Sequence, residues 1–271
     1  MRVFHESFLR RALRGAALRV VAWVEETNNW DSRKNGELLV LREAIKYCKM
    51  ASPQSGLTVI DAGANKGEYV DMVALQAAAI GVPVWLHAFE PQADCYAQLR
   101  ARYGEIQYIV LNQLALSDRD GEAVIYSDKK GSPLASMYQR DLRAIHLEIS
   151  QREQVKTVRL ASYIRNVGLK HIHFLKIDVE GSEFEVLNGA GEFLQPDFID
   201  FIQFEYGGTN LDARVPLKAF FSLLEPKGFV VAKVMSSGLR IREYVAWMDN
   251  YMYANYVAVS PKAFEHLADR S

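Results

Sequence analysis

The sequence predicts an α/β fold: a mostly parallel sheet with helices on both faces, preceded by an N-terminal helical extension. Three observations predict it. From about residue 57 the chain alternates short apolar runs with patterns of helical period. Those runs are too apolar for strands with one face in water, so both faces are covered. A glycine turn, "DAGANKG", joins the first run to the first helical pattern. The chain has 271 residues, 49% hydrophobic and 24% charged, which fits one such domain with added pieces. The expected division is 1–56 as a helical extension, 57–262 as the domain with an insertion at about 127–156, and 263–271 as a tail.

The opening "MRVFHESFLRRALRGAALRVVAWVEE" is basic early and apolar later. Its apolar run is interrupted by Arg19 and too short to span a membrane. It lacks the long apolar region and small-residue cleavage site of a signal peptide. It reads as an amphipathic helix with Arg2, Arg10, Arg11, Arg14 and Arg19 on its polar side. Such a helix packs on the domain or on a second subunit, as in a homodimer; its basic face would also suit a membrane surface.

Next, "LTVIDAG" is a strand and turn and "KGEYVDMVALQAAAI" a helix. "VWLHAFEP" and "ADCYAQLRARYG" repeat the pair, and "IQYIVLNQLAL" is a third strand. "DRDG" and "AVIYSD" read as a turn and a returning strand. "HIHFLKIDVEG" and "DFIDFIQFEYGG" are two more parallel strands. "PLKAFFSLLEPKG" is a helix ended by Pro226 and Gly228, and "FVVAKVM" and "YANYVAVS" close the sheet.

Right-handed crossovers place every strand-to-helix turn on one sheet edge, where ligands bind in such folds. Asp61, Glu90, Asp178 and Glu205 all fall at strand ends there. The glycine pattern is D-x-G-x-x-x-G, with Asn65 where a dinucleotide motif needs its second glycine. That speaks against an NAD-linked oxidoreductase, which stays as an alternative beside a non-catalytic scaffold of the same fold. S-adenosylmethionine (SAM) fits better. Asp61 suits its ammonium, Gly63 a close approach of the chain to its methionyl part, and Glu90 both ribose hydroxyls.

"VIDAGANKGEYV", "HAFEPQADCYAQL", "LNQLALSDRDGEAVIY" and "FLKIDVEGSEFEVLNGA" occur in this order. They resemble the FkbM-type SAM-dependent methyltransferases over roughly residues 30 to 260. The resemblance implies a seven-stranded Rossmann-like sheet and methyl transfer to oxygen, commonly a hydroxyl of a sugar, glycan or secondary metabolite. It carries cofactor contact onto Asp61, Gly63, Asn65, Gly67 and Glu90, with Ala64 and Pro91 beside them, and onto Ala115 and Asp178. The Asn/Asp-Pro-Pro-aromatic loop of base-methylating enzymes is missing: that position reads "DVEG". With a net charge of −1, this disfavours a nucleic-acid substrate. Cys48 and Cys95 form no disulfide framework and suit a reducing cytosol.

The acids of "KIDVEGSEFE" divide by local rule. Ser182 and Glu185 have capping-box spacing, with Glu183 favouring the helix start and Gly189 a helix stop. Asp178 and Glu180 have no such account. Lys176 lies one step deeper on their side and needs a partner, Asp178 or Glu205. The cluster is either a structural ion pair or the group that orients an acceptor hydroxyl and takes its proton. Carboxylates together would also suit Mg²⁺ or Ca²⁺, a reading not favoured. His146, in the insertion, is a further candidate base. For the acceptor, Trp30, Ser136, Tyr138, Arg140, Tyr244 and Trp247 are candidates; aromatic faces suit the apolar C–H faces of sugar rings.

Overall fold

The computed structural model describes residues 7–53, 56–143 and 146–269; Arg2 lies outside them. Helices α1 (Phe8–Val24) and α2 (Glu37–Ala51) come first. Then β1 (Leu57–Ala62), α3 (Glu68–Ile80), β2 (Val84–Phe89), α4 (Ala93–Tyr103) and β3 (Ile109–Asn112) alternate as expected. A small excursion follows: β4 (Ala115–Ser117), β5 (Gly121–Ser127) and β6 (Gln151–Arg159). The main fold resumes with α5 (Leu160–Val167), β7 (Ile172–Ile177), α6 (Glu183–Gly189) and β8 (Ile199–Tyr206). It ends with α7 (Gly208–Ala213), α8 (Leu217–Leu224), β9 (Val230–Met235), β10 (Gly238–Ile241), β11 (Ala254–Val259) and α9 (Pro261–Ala268).

The main sheet has eight strands in the order β10-β9-β11-β8-β7-β1-β2-β3. The five from β3 to β8 are parallel, and β11 enters antiparallel between β8 and β9. This is the Rossmann-like methyltransferase arrangement. The eighth strand, β10, is a hairpin partner of β9 inside the stretch read as a connection. "IQYIVLNQLAL" is not one strand. It ends at Asn112, whose amide donates to the Ala88 carbonyl and the Tyr163 hydroxyl, and β4 then leaves for a separate sheet, β4-β6-β5. The insertion is shorter than 127–156, because β6 pairs back along β5 from Gln151.

Alternate strand residues feed two cores. Ile60, Leu175, Ile177 and Ile202 pack toward α5, α6 and α8. Val59, Phe174, Phe201 and Val257 pack toward α2, α3 and α9. Leu41, Ala44, Ile45 and Cys48 of α2 are fully buried, so α2 is a layer of the domain rather than part of an appendage. The expected tail is also structural: α9 is capped by the Ser260 hydroxyl and buries Ala263. Helix α1 differs, with Ala22 its one buried residue, so it does not pack on the domain as expected. Among the described residues no helix is long and apolar enough to cross a membrane.

Candidate active site

On the face toward α2, the central strands begin apolar and end polar. Val59 is followed by Asp61, Phe174 by Lys176, and Phe201 by Gln203 and Glu205. The register sets Asp61 beside Lys176, Lys176 beside Gln203, and Glu205 beside Asn255 of β11. These ends open into a cleft of two lobes. The smaller, about 550 Å³ with its open mouth, has walls of Phe89, Leu114, Leu116, Ile125 and Met137 around Glu90 and Gln92. The larger, about 1620 Å³ with its open mouth, holds Glu37, Lys176, Glu205, Arg140, Trp30 and Tyr253. Gly63, Asn65, Pro133, Asp178 and Glu180 line both.

Asp61 is fully buried, and neither carboxylate oxygen has a hydrogen-bond partner among the described residues. Burial pushes it up to about 6 against the pull of Lys176. Glu90 accepts the amide N–H of Asn65 at 2.9 Å on one oxygen and that of Gln92 at 2.8 Å on the other. Each oxygen keeps a second lone pair for a ligand. Burial pushes Glu90 up to about 7, although those amides favour its charge. Gly63 lines both lobes and has a steric role besides the one expected. With φ at +90°, a Cβ there would stand 1.8 Å from the Asp178 carbonyl oxygen, so the glycine lets β1's turn pass the end of β7. Gly67 serves α3, its absent Cβ leaving room for the Tyr103 ring.

Lys176 has its partner in Asp178, with Nζ 2.7 Å from Oδ2, and lies 4.9 Å from the Tyr69 ring centre. Burial works against its charge, but Asp178, Glu37 and Asp61 outweigh it and hold its pKa above the usual range. Glu180 does not continue the strand: it takes φ +54° and accepts from Arg140 Nη1 at 2.9 Å. Burial, then the Asp178 charge, raises it to about 8 against Arg140. Glu205 accepts no hydrogen bond among the described residues, and burial plus Asp178 and Glu180 keep it well above the ordinary carboxylate range. Asp178, Glu180, Lys176 and Glu205 thus meet in one cleft.

The helix-start acids are structural, by a route other than a capping box. The Ser182 hydroxyl is buried without a partner. Glu183 instead accepts the amides of Val179 and Gly181 on Oε1 and the Asn210 side chain on Oε2, tying down the loop that carries Asp178 and Glu180. Burial pushes it up to about 7. Glu185 accepts from the Tyr138 hydroxyl. Gly189 is no mere helix stop, since a Cβ there would stand 2.0 Å from the Ser117 carbonyl oxygen.

Of the acceptor candidates, Trp30 and Arg140 line the larger lobe. Ser136 is buried, its hydroxyl donating to the Glu180 carbonyl, and so supports the site rather than lining it. Tyr138 is occupied by Glu185. Tyr244 packs on Phe221 and donates to Asp249, and Trp247 lies under Arg242, so neither reaches the cleft. The connection they belong to packs instead against the α8 side of the core, where Met248 is buried. His146 is exposed and lines neither lobe. Ala64 lines the larger lobe and Pro91 and Ala115 the smaller.

The segment "TNNWDSRKNGE" (27–37) reads in sequence as a candidate wall of the cleft, but Glu37 and its holders are not singled out there. Glu37 accepts from Asn35 and Asn255 on Oε1 and from Gln203 at 2.7 Å on Oε2. Asn35 and Asn255 also donate to the Tyr253 hydroxyl, whose ring stands 6.0 Å from that of Trp30. No local pattern marks this set, because its members come from three distant segments.

Among the described residues, one group brings three ligand atoms within 4.8 Å: His171, His173 and Asp200, at the opposite edge of the sheet. His173 Nδ1 accepts the Thr58 amide N–H at 3.0 Å, so its other nitrogen carries the proton and has no lone pair for a metal. The site acids do not converge in this way.

A model of the Methyltransferase FkbM domain matches residues 61–246. The "2-O-methyltransferase NoeI" of Sinorhizobium fredii is 25% identical over 202 residues, 71% of this chain and 79% of that protein. "Methyltransferase 1" of Beauveria bassiana is 27% identical over 189 residues, 64% of this chain and 72% of that one. The solved SAM-dependent methyltransferase from Agrobacterium tumefaciens overlays with a TM-score of 0.42 at 9% identity, covering 83% of this chain and 61% of that one.

Proposed function

Because the chain belongs to the FkbM methyltransferase family and is a SAM-dependent methyltransferase, we propose that it methylates a hydroxyl of a sugar or glycan, or of a related secondary metabolite. The observation that carries this is the position of Asp178, which lines both lobes of the cleft. The family assignment displaces the NAD-linked reading.

The residues present fit SAM. Asp61 lines neither lobe, but its two buried oxygens are unpartnered among the described residues, which suits a cation held through a bridging water. Glu90 has acceptor capacity left for ribose hydroxyls, and the smaller lobe's apolar walls suit a purine. When bound, SAM supplies an electrophilic methyl group on a sulfonium.

The chain's own residues prepare the acceptor. Lys176 occupies Asp178 Oδ2, which orients the carboxylate and leaves Oδ1 as the hydroxyl's proton acceptor. A general base so placed contributes roughly 10²–10⁴-fold. Glu205, raised by burial and by the Asp178 and Glu180 charges, lines the larger lobe and is left unpartnered among the described residues to hydrogen-bond an acceptor oxygen. Arg140 fixes Glu180 at the rim. Trp30 and Tyr253 offer ring faces to the apolar side of a sugar. The name of the Sinorhizobium relative supports oxygen as the atom methylated.

The test is transfer of a labelled methyl group from SAM to a panel of free sugars, glycosides, phenols and amines, with mass spectrometry locating the methyl group. Methylation on oxygen of a sugar is the expected result. Transfer confined to nitrogen or carbon overturns the reading.

A further inference from the structure

Helix α1 has a face that the domain leaves open. Between Phe8 and Val24 it holds four arginines and no acid. Leu9 is 66% exposed, Leu13 62% and Trp23 79%. At 100° per residue, Leu9, Leu13, Val20, Trp23 and Val24 fall on one continuous apolar arc. Arg10 borders it on one side and Arg19 on the other, with Arg11 and Arg14 on the far side. The helix is not loose at its C-terminal end. Glu25, buried, accepts from Lys233 at 3.0 Å and from Arg242. Glu26 accepts the Ser236 amide, and Arg240 donates to the Val24 carbonyl. The β9–β10 edge therefore grips the end of α1 and holds the amphipathic body away from the core.

We propose that α1 is an in-plane membrane anchor that binds the surface of an anionic bilayer, its apolar arc at the acyl boundary and its arginines among the headgroups. A helix of this kind lies in the interface when apolar burial and attraction to anionic lipid act together. Trp23 has the amphipathic ring that favours the headgroup level. The charge pattern favours lipid over a second copy of the chain. Two α1 helices meeting on this face would bring Arg10 and Arg19 of each to the rim of the contact, with no acid between Phe8 and Val24 to offset them.

The full chain tests this by co-flotation with phosphatidylcholine vesicles prepared with and without phosphatidylglycerol. Binding is expected only to the anionic vesicles, weakening as salt rises. Each arginine near such a surface is worth about fivefold, so Arg10→Glu with Arg19→Glu is expected to weaken binding by more than about tenfold. Leu13→Glu abolishes it, and vesicles blue-shift Trp23 emission, a shift absent in Trp23→Phe. All three variants keep SAM binding in calorimetry, which separates this proposal from the methyl-transfer reading. Equal binding to neutral vesicles, or binding untouched by the arginine reversals, overturns it. So does a dimer that vesicles leave intact and Leu13→Glu dissolves.

Discussion

The two ends of β7 each gather ionisable side chains, and only one end is a site. At its start, His171 bonds Asp200 and His173 accepts a hydrogen bond from the Thr58 amide N–H. Burial lowers His173 to about 4, so it stays neutral and spends its lone pair within the sheet. At its far end, Lys176 and Asp178 pair beside two carboxylates, Asp61 and Glu205, that accept nothing within the described chain. Clustering is common to both ends. What distinguishes the active end is unspent acceptor capacity on carboxylates at or just behind a cleft, whereas the unpartnered His173 Nε2 at the other end lines neither lobe.

The largest expected effect breaks the active end. Asp178→Asn removes the proton acceptor, and turnover is expected to fall by about 10²–10⁴-fold. Steady-state kinetics check this alongside calorimetry for SAM, and wild-type turnover would remove Asp178 from catalysis. Next comes Glu90→Ala, which costs SAM affinity on the order of tenfold or more, as expected for hydrogen bonds to a charged group. The same carboxylate gives a pH signature. With its pKa at about 7, it is ionised above that value and protonated below it. SAM affinity therefore weakens by up to about tenfold between pH 8 and pH 6. Glu90→Gln flattens that profile, and a slope preserved in this variant assigns it to another group.

A smaller effect sharpens the contrast. Glu183→Ala strips the loop of three hydrogen bonds and is expected to cost about 1–3 kcal/mol of stability in urea unfolding. The folded fraction keeps more turnover than Asp178→Asn does; equal losses would make Glu183 part of the chemistry. The smallest effect belongs to the other end of β7. Added Zn²⁺ is expected to leave Tm unchanged, and His171→Ala to leave turnover unchanged. A zinc-dependent rise in Tm lost in that variant would break the comparison.

Much of this was legible in one dimension. Alternating apolar runs marked the parallel strands, and the acids at their ends marked the edge. What misled were patterns whose local meaning the fold overrode. Ser182 and Glu185 have capping-box spacing, yet Tyr138 from the excursion claims Glu185. "IQYIVLNQLAL" has one apolar rhythm, yet Asn112 ends the strand and sends the rest into a second sheet. The aromatic run around Tyr244 and Trp247 suggested an acceptor wall, but Tyr244 packs on Phe221 and Trp247 lies under Arg242, leaving Tyr253 at the cleft.

By itself the sequence determined the central parallel strands and which acids stand at their ends. Periodicity and turn chemistry act over a few residues and can be read there. Only the tertiary structure decided that Lys176 pairs with Asp178, that Glu37 is fixed by Asn35, Gln203 and Asn255, and that Glu205 is left without a partner. Those outcomes depend on which distant groups reach one another once water is excluded. In a buried cleft, the free energy of a charged side chain is set by the partners that the fold brings, or fails to bring, within hydrogen-bonding distance.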